Sequence, residues 1–265
     1  MDAVTAFKQS QKEAWVHFTP LEALTTPVAA RTVRFAGVRA SMRVLDVGCG
    51  TGVVAITAAR LGAQVTGVDL TPQLLERARQ NSTTVGVSVD WRDGDVEDLP
   101  FADAEFDVVI SQFAHMFAPR AEMALSEMLR VLKPGGTIAF STWPPELLVG
   151  MTMAVAARYM PPPPPDVANP GLWGDPAVIR QRLGNTVTEI AFDRDCNFFP
   201  ALSPEHFRAN VERTAGPIVK LVETLAAQEP QKLTAFRNEF DHIVSRYFRD
   251  NVVRQDYLLT RAVKV

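Results

Sequence analysis

A short apolar run at 42–47 ends in Asp46-Val47-Gly48-Cys49-Gly50-Thr51-Gly52, and an apolar stretch without prolines follows it. Glycines at this spacing let a backbone turn tightly and come close to a ligand, while a following helix offers N–H groups that have no partner within the helix. Asp69 stands 21 residues beyond Gly48, at the end of a second apolar run. A carboxylate in that place accepts hydrogen bonds from both hydroxyls of a ribose. By themselves these two features fit a nicotinamide dinucleotide as well as S-adenosylmethionine. Cys49 and Cys196 are the chain's two cysteines; so few, so far apart, give neither a disulfide scaffold nor a metal site, and no metal is expected. Cys49 is also read as a small packing residue.

To hold a glycine turn against a ribose carboxylate, strands must alternate with helices. The pattern predicts strands at 42–47, 64–69, 87–91, 106–112 and 137–143, with helices at 53–61, 72–80 (Thr71 as its cap) and 121–132 between them. Lys133-Pro134-Gly135-Gly136 breaks the last helix. Nearly all-apolar strands in this alternation imply a parallel sheet covered on both faces, and right-handed crossovers make it doubly wound. Upstream, 3–18 reads as a loosely amphipathic helix, and a second helix begins near Pro27, capped by Thr25 or Thr26 and closed around Gly37. Beyond Trp143 the regularity fails. A helical piece around 147–160, five prolines at 161–165 and a Trp173-Gly174 turn precede a helix at 176–183 and a strand at 186–192. Two or three helices fill 203–249, a strand follows at 255–263, and no second independent core is evident. The chain is therefore expected to be one domain, 1–265. It divides into a helical cap (1–40), a cofactor-binding core (41–143), lid insertions over the substrate (144–174 and 203–250) and segments completing the sheet (175–202 and 251–265).

Five motifs extend the pattern: VLDVGCGTG (44–52), VTGVDLTPQLLERAR (65–79), GDVEDLPF (94–101), FDVVISQF (106–113) and ALSEMLRVLKPGG (124–136). In order and spacing the stretch resembles the class I S-adenosylmethionine-dependent methyltransferases, with most similarity to the small-molecule enzymes of ubiquinone and menaquinone biosynthesis. The resemblance implies an α/β fold with a Rossmann-like, seven-stranded sheet whose last strand is antiparallel, and S-adenosyl-L-methionine as cofactor. It implies that the Gly48, Cys49, Gly50 and Gly52 turn faces the methionine part and that Asp46 meets its ammonium group, directly or through water. Asp69 would bind the ribose and Asp95 the adenine amino group, with Leu70 and Val96 on the two faces of the ring. Ser111 and Gln112 would lie at the amino-acid end, where the acceptor enters.

The expected reaction is in-line displacement from the sulfonium onto oxygen, nitrogen or carbon, so alignment and exclusion of water carry much of the work. Where the acceptor must lose a proton, His115 is the best-placed base and His17 the second choice, with His206 and His242 read as surface or core residues. The family's His-His pair reads His115-Met116-Phe117 here, an imperfect match. An acceptor pocket would draw on Trp15, Phe18, Phe113, Phe117, Trp143 and Trp173, with Met151 and Tyr159 as further candidates. This composition favours a small, partly hydrophobic acceptor. The formal net charge of −3 gives no bulk attraction to nucleic acid. With no leader-like N-terminus and no apolar run of membrane-spanning length, a cytoplasmic protein is expected. The alternatives are a cofactor-binding protein without methyl transfer and a protein or RNA methyltransferase. A dehydrogenase fits poorly, because it needs no Asp95 and its glycine spacing differs.

Overall fold

A computed structural model of the chain describes residues 3–265. Five parallel strands form the centre: β1 (Arg43–Val47), β2 (Gln64–Asp69), β3 (Asp90–Asp93), β4 (Phe106–Gln112) and β5 (Leu132–Thr142). Two antiparallel pairings complete the sheet. β8 (Val252–Lys264) lies against β5 and β6 (Val187–Pro200) lies outside it, giving the order β3-β2-β1-β4-β5-β8-β6. The two-residue β7 (Phe248–Arg249) folds back on β8, an eighth strand beyond the seven expected.

Helices cover both faces, as the apolar strands require. α1 (Ala3–Trp15) and α2 (Glu22–Phe35) precede the sheet, and α3 (Val53–Arg60), α4 (Pro72–Val85) and α5 (Ala121–Val131) connect its strands. Val44, Val108, Ile110 and Ala139 pack with Ala29 and Val33 of α2 and Val54 and Ala58 of α3. Leu45, Val47, Val109, Ile138 and Phe140 pack on the other face with α5 and with Ile179 and Leu183 of α7 (Pro176–Leu183). The remaining helices, α6 (Leu148–Tyr159), α8 (Pro204–Thr214), α9 (Gly216–Gln228) and α10 (Pro230–Ser245), bury Leu148, Phe207, Leu221, Phe236, Phe240 and Val253 in a cluster of their own. The pattern of 203–249 shows no such second core, because each helix is only moderately apolar and the cluster exists through their mutual packing. Among the described residues no helix is long and apolar enough to cross a membrane.

Several boundaries move. The N-terminal helix stops at Trp15, and Val16–Leu21 continues as a 3-10 turn containing Pro20. α2 starts at Glu22, so Thr25 and Thr26 are not caps; their hydroxyls donate back to the carbonyls of Leu21 and Glu22. Thr71 does sit at the N-cap of α4 but makes no side-chain cap bond. β3 forms at 90–93 instead of 87–91, where it gains parallel pairing with Thr66–Asp69. β5 begins at Leu132, ahead of the expected break, and β6 runs on to Pro200 because β8 offers a long antiparallel partner.

The strand order places the site. Strands progress outward from β1 through β2 and β3, then restart on its other side with β4. The connections after β1 and β4 consequently leave in opposite directions and open a crevice at the carboxyl edge, the usual ligand position in such sheets.

Candidate functional site

The glycine turn lines one side of that crevice. Gly48 (φ +65°) and Gly52 (φ +84°) are left-handed, a conformation costly for residues with a Cβ. Space agrees with conformation: a Cβ on Gly48 would overlap the Ala114 side chain, and one on Gly52 would come within 2.6 Å of the Trp91 ring. The turn delivers α3 with its N-terminus over β1, and the Ala55 N–H donates to Asp46 Oδ2 at 2.9 Å. Asp69 fastens the turn from β2, accepting from the Gly50 N–H (Oδ2, 2.8 Å) and the Thr71 N–H (Oδ1, 2.8 Å).

Both carboxylates are buried and, among the described residues, neither makes an ion pair with a cation. Burial pushes Asp46 up to about 7, with the neighbouring Asp69 adding to the shift. Asp69 is raised too, by burial, against the two N–H bonds. Two desolvated carboxylates with unused lone pairs suit a ligand that brings an ammonium group and hydroxyls, so these residues fit S-adenosylmethionine. Cys49 is buried in the turn, its thiol held well up by burial and by both carboxylates; it is inert packing.

The third carboxylate is already engaged. Asp95 follows β3, accepts from the Glu97 N–H through Oδ1 (2.9 Å), and through Oδ2 meets Lys8 Nζ of α1 at 2.5 Å. Lys8 also lies 2.5 Å from Glu97 Oε2. The Glu97 side chain, wholly buried, also accepts from the Arg120 N–H (2.6 Å) and Nε (2.7 Å). Leu70 and Val96 are half-buried beside Asp69 and Asp95. Lys8 and Glu97 escape the sequence reading because their pairing joins residues far apart in the chain; the one signal was a second acid within GDVEDLPF.

Several expected site residues are engaged by contacts within the chain. Ser111 is buried; its hydroxyl donates to the Val47 carbonyl (2.8 Å) and accepts from the His115 N–H (3.1 Å), a tie between β4, β1 and the following loop. The Gln112 amide donates to the Thr25 carbonyl at 3.0 Å and so ties β4 to α2. His115, the candidate base, is enclosed in the core. It is 1% exposed, lies 4.6 Å from the rings of Phe140 and Trp173, and neither ring nitrogen has a hydrogen-bond partner. Burial, reinforced by Arg182, lowers it to about 3, so at neutral pH it is an uncharged core imidazole. His17 is exposed on the 3-10 turn, and His206 and His242 are exposed on α8 and α10.

The aromatic residues divide into three groups. Trp15 packs against Phe117 (5.0 Å between centroids) and Phe18 (6.2 Å), and Phe18 Cε1 would lie 3.9 Å from a Cβ on Gly50. Phe18 thus lies over the glycine turn, with Trp15 behind it and Phe117 behind Trp15. Phe113, at φ +58°, stacks on Trp143 at 3.8 Å and both meet Tyr257, on the α2 side. Trp173 is fully buried between His115 and Phe140 and is a core residue rather than a pocket wall. Tyr159 packs on Phe236, away from the turn, and Met151 is half-buried on α6.

Residues 45–140 match the family described as "Methyltransferase domain". An uncharacterized protein of Mycobacterium tuberculosis is 32% identical over 92% of this chain and 89% of its own length. A ubiquinone biosynthesis O-methyltransferase of Xanthomonas axonopodis pv. citri is 43% identical over 46% of this chain and 52% of its own. Among solved structures, phosphoethanolamine N-methyltransferase 2 of Haemonchus contortus, in complex with S-adenosyl-L-methionine, superposes with a TM-score of 0.55 at 21% identity. That match covers 90% of this chain and 52% of the other.

Proposed function

Because the chain belongs to the class I S-adenosylmethionine-dependent methyltransferases, we propose that it methylates a small, partly hydrophobic acceptor at the carboxyl edge of the sheet. The observation that carries this reading is aromatic: Phe18 lies over Gly50 of the glycine turn, Trp15 packs on Phe18, and Phe117 packs on Trp15. An apolar cover of this kind favours a compact flat molecule over a polymer, which needs an open groove.

Within the crevice Asp46 takes the ammonium group, Asp69 the ribose hydroxyls and Asp95 the adenine amino group. When bound, S-adenosylmethionine supplies a methyl group already activated by its sulfonium. The chain's own residues orient and enclose. The glycine turn fixes the amino-acid end, and Phe18, with Trp15 and Phe117 behind it, excludes water and presents an aromatic face, which favours a cation nearby. His115 is enclosed by Phe140 and Trp173 with no hydrogen-bond partner, so on this reading the acceptor atom is nucleophilic as it arrives or loses its proton to solvent. The pH dependence of turnover then follows the acceptor's own ionisation.

Incubating the protein with S-adenosylmethionine and panels of small phenols, amines and thiols, beside RNA and protein pools, tests this. Expected is S-adenosylhomocysteine formed in equal amount with a small product carrying one methyl group in place of one hydrogen. Methyl transfer to RNA or protein alone would overturn the small-acceptor reading.

A further inference from the structure

The N-terminal segment and the start of α2 are fastened at several points around the glycine turn and the acids after β3. Gln11 Nε2 donates to the Phe117 carbonyl at 3.1 Å, and Glu22 accepts from Arg77 (3.1 Å) and Asn81 (2.7 Å) of α4. Phe18 lies over Gly50. At the adenine end the fastening is ionic: Lys8 Nζ stands 2.5 Å from both Asp95 Oδ2 and Glu97 Oε2, its side chain only 15% exposed.

The charges in this cluster are not equivalent. Glu97 has a second cation in Arg120, so it stays paired whatever Lys8 does. Among the described residues Asp95 has no second cation, and without Lys8 its carboxylate keeps the Glu97 N–H. Lys8 thus satisfies the one acid in the cluster that a ligand donor can also satisfy.

We propose that Lys8 is a positioning residue that gates the cofactor crevice, holding Asp95 while the crevice is empty and passing to Glu97 alone when the adenine amino group arrives. This rests on the assignment of Asp95 to adenine. Because Lys8 already touches both acids, the exchange needs only a small rocking of its ammonium group, and the Glu97 contact lets the segment close again over the bound ligand. Lys8 therefore slows both entry and exit. Its removal leaves Glu97 neutralised by Arg120 and the segment unlatched at one end.

Stopped-flow binding of S-adenosylhomocysteine tests the gate, with hydrogen exchange of residues 3–21 in the unliganded protein as a second measurement. Lys8→Met is expected to raise both association and dissociation rates by about tenfold, as loss of a partly buried charge pair on a closing segment does. Exchange in 3–21 rises with them, Lys8→Arg restores the slow rates, and the surface variant Lys232→Met leaves them unchanged. A merely structural ion pair would lower thermal stability without moving the two rates together. Wild-type protein that binds no S-adenosylhomocysteine would overturn the cofactor assignment and the gate with it. Wild-type binding with rates and exchange unmoved in Lys8→Met would overturn the gate alone.

Discussion

Asp46 keeps its proton up to about pH 7 because it is buried beside another acid, Asp69, and among the described residues it has no cation of its own. A ligand ammonium would supply that cation and favour the ionised form, so binding below pH 7 must expel a proton. Affinity for S-adenosylhomocysteine is expected to fall about tenfold per pH unit below that point and to be flat above it. Calorimetry in buffers of different ionisation enthalpy would detect the released proton. His115 has the opposite consequence, for stability. Its folded value near 3 lies below the ordinary 6.5, so between those limits the unfolded chain binds a proton that the folded protein refuses. Stability is expected to fall as pH drops through that window, by about 1 kcal/mol per unit, and to be indifferent to this residue above it. His115→Phe should remove the contribution and leave turnover nearly intact; a collapse of kcat with cofactor affinity unchanged would restore His115 as a catalytic residue. Asp69 stood out in the sequence because it ends an apolar run at a set distance from the glycine turn, whereas Asp46 and Asp95 were singled out by the resemblance of VLDVGCGTG and GDVEDLPF to the family's motifs. The enclosure of His115 was not legible because it comes from Trp173, which reaches it only through the fold.

At the scale of elements, the N-terminal segment owes its seat to close contact with α9. A Cβ on Gly216 would overlap the Ala14 carbonyl oxygen, and Lys220 donates to Ser10 at 2.9 Å and 3.1 Å. Gly216→Val should therefore push α1 away, raising proteolysis of the N-terminal segment and weakening cofactor retention while the sheet stays folded. Limited proteolysis with circular dichroism would check both halves. The alternating strands and helices of 42–143 were readable because local periodicity dictates them. The extents of β3, β5 and β6 were not, since these strands reach as far as their partners allow: β6 pairs with β8 from Val187 to Pro200 although its own sequence alternates poorly. The aromatic residues were readable only as a set, which the structure divides between a group leading to the glycine turn (Trp15, Phe18, Phe117), a stack on Tyr257 (Phe113, Trp143) and the core (Trp173).

For the whole molecule, the sheet order brings three acids at or just beyond the ends of three strands to one edge, and the helices pack in two clusters, one on the sheet and one of their own. The helical cluster around Phe236 and Phe240 was invisible to a reading that sought one core, because its apolar residues are scattered over α6, α8, α9 and α10. The central claim, that this edge is a cofactor site organised by Asp69, is most directly tested by calorimetric titration of wild-type and Asp69→Ala protein with S-adenosylhomocysteine, with NAD as comparison. Asp69 fastens Gly50 and is the residue proposed to bind the ribose, so its loss should weaken binding by about 1–3 kcal/mol in a folded protein, while NAD does not bind. Equal affinity of the two proteins for S-adenosylhomocysteine would contradict the account.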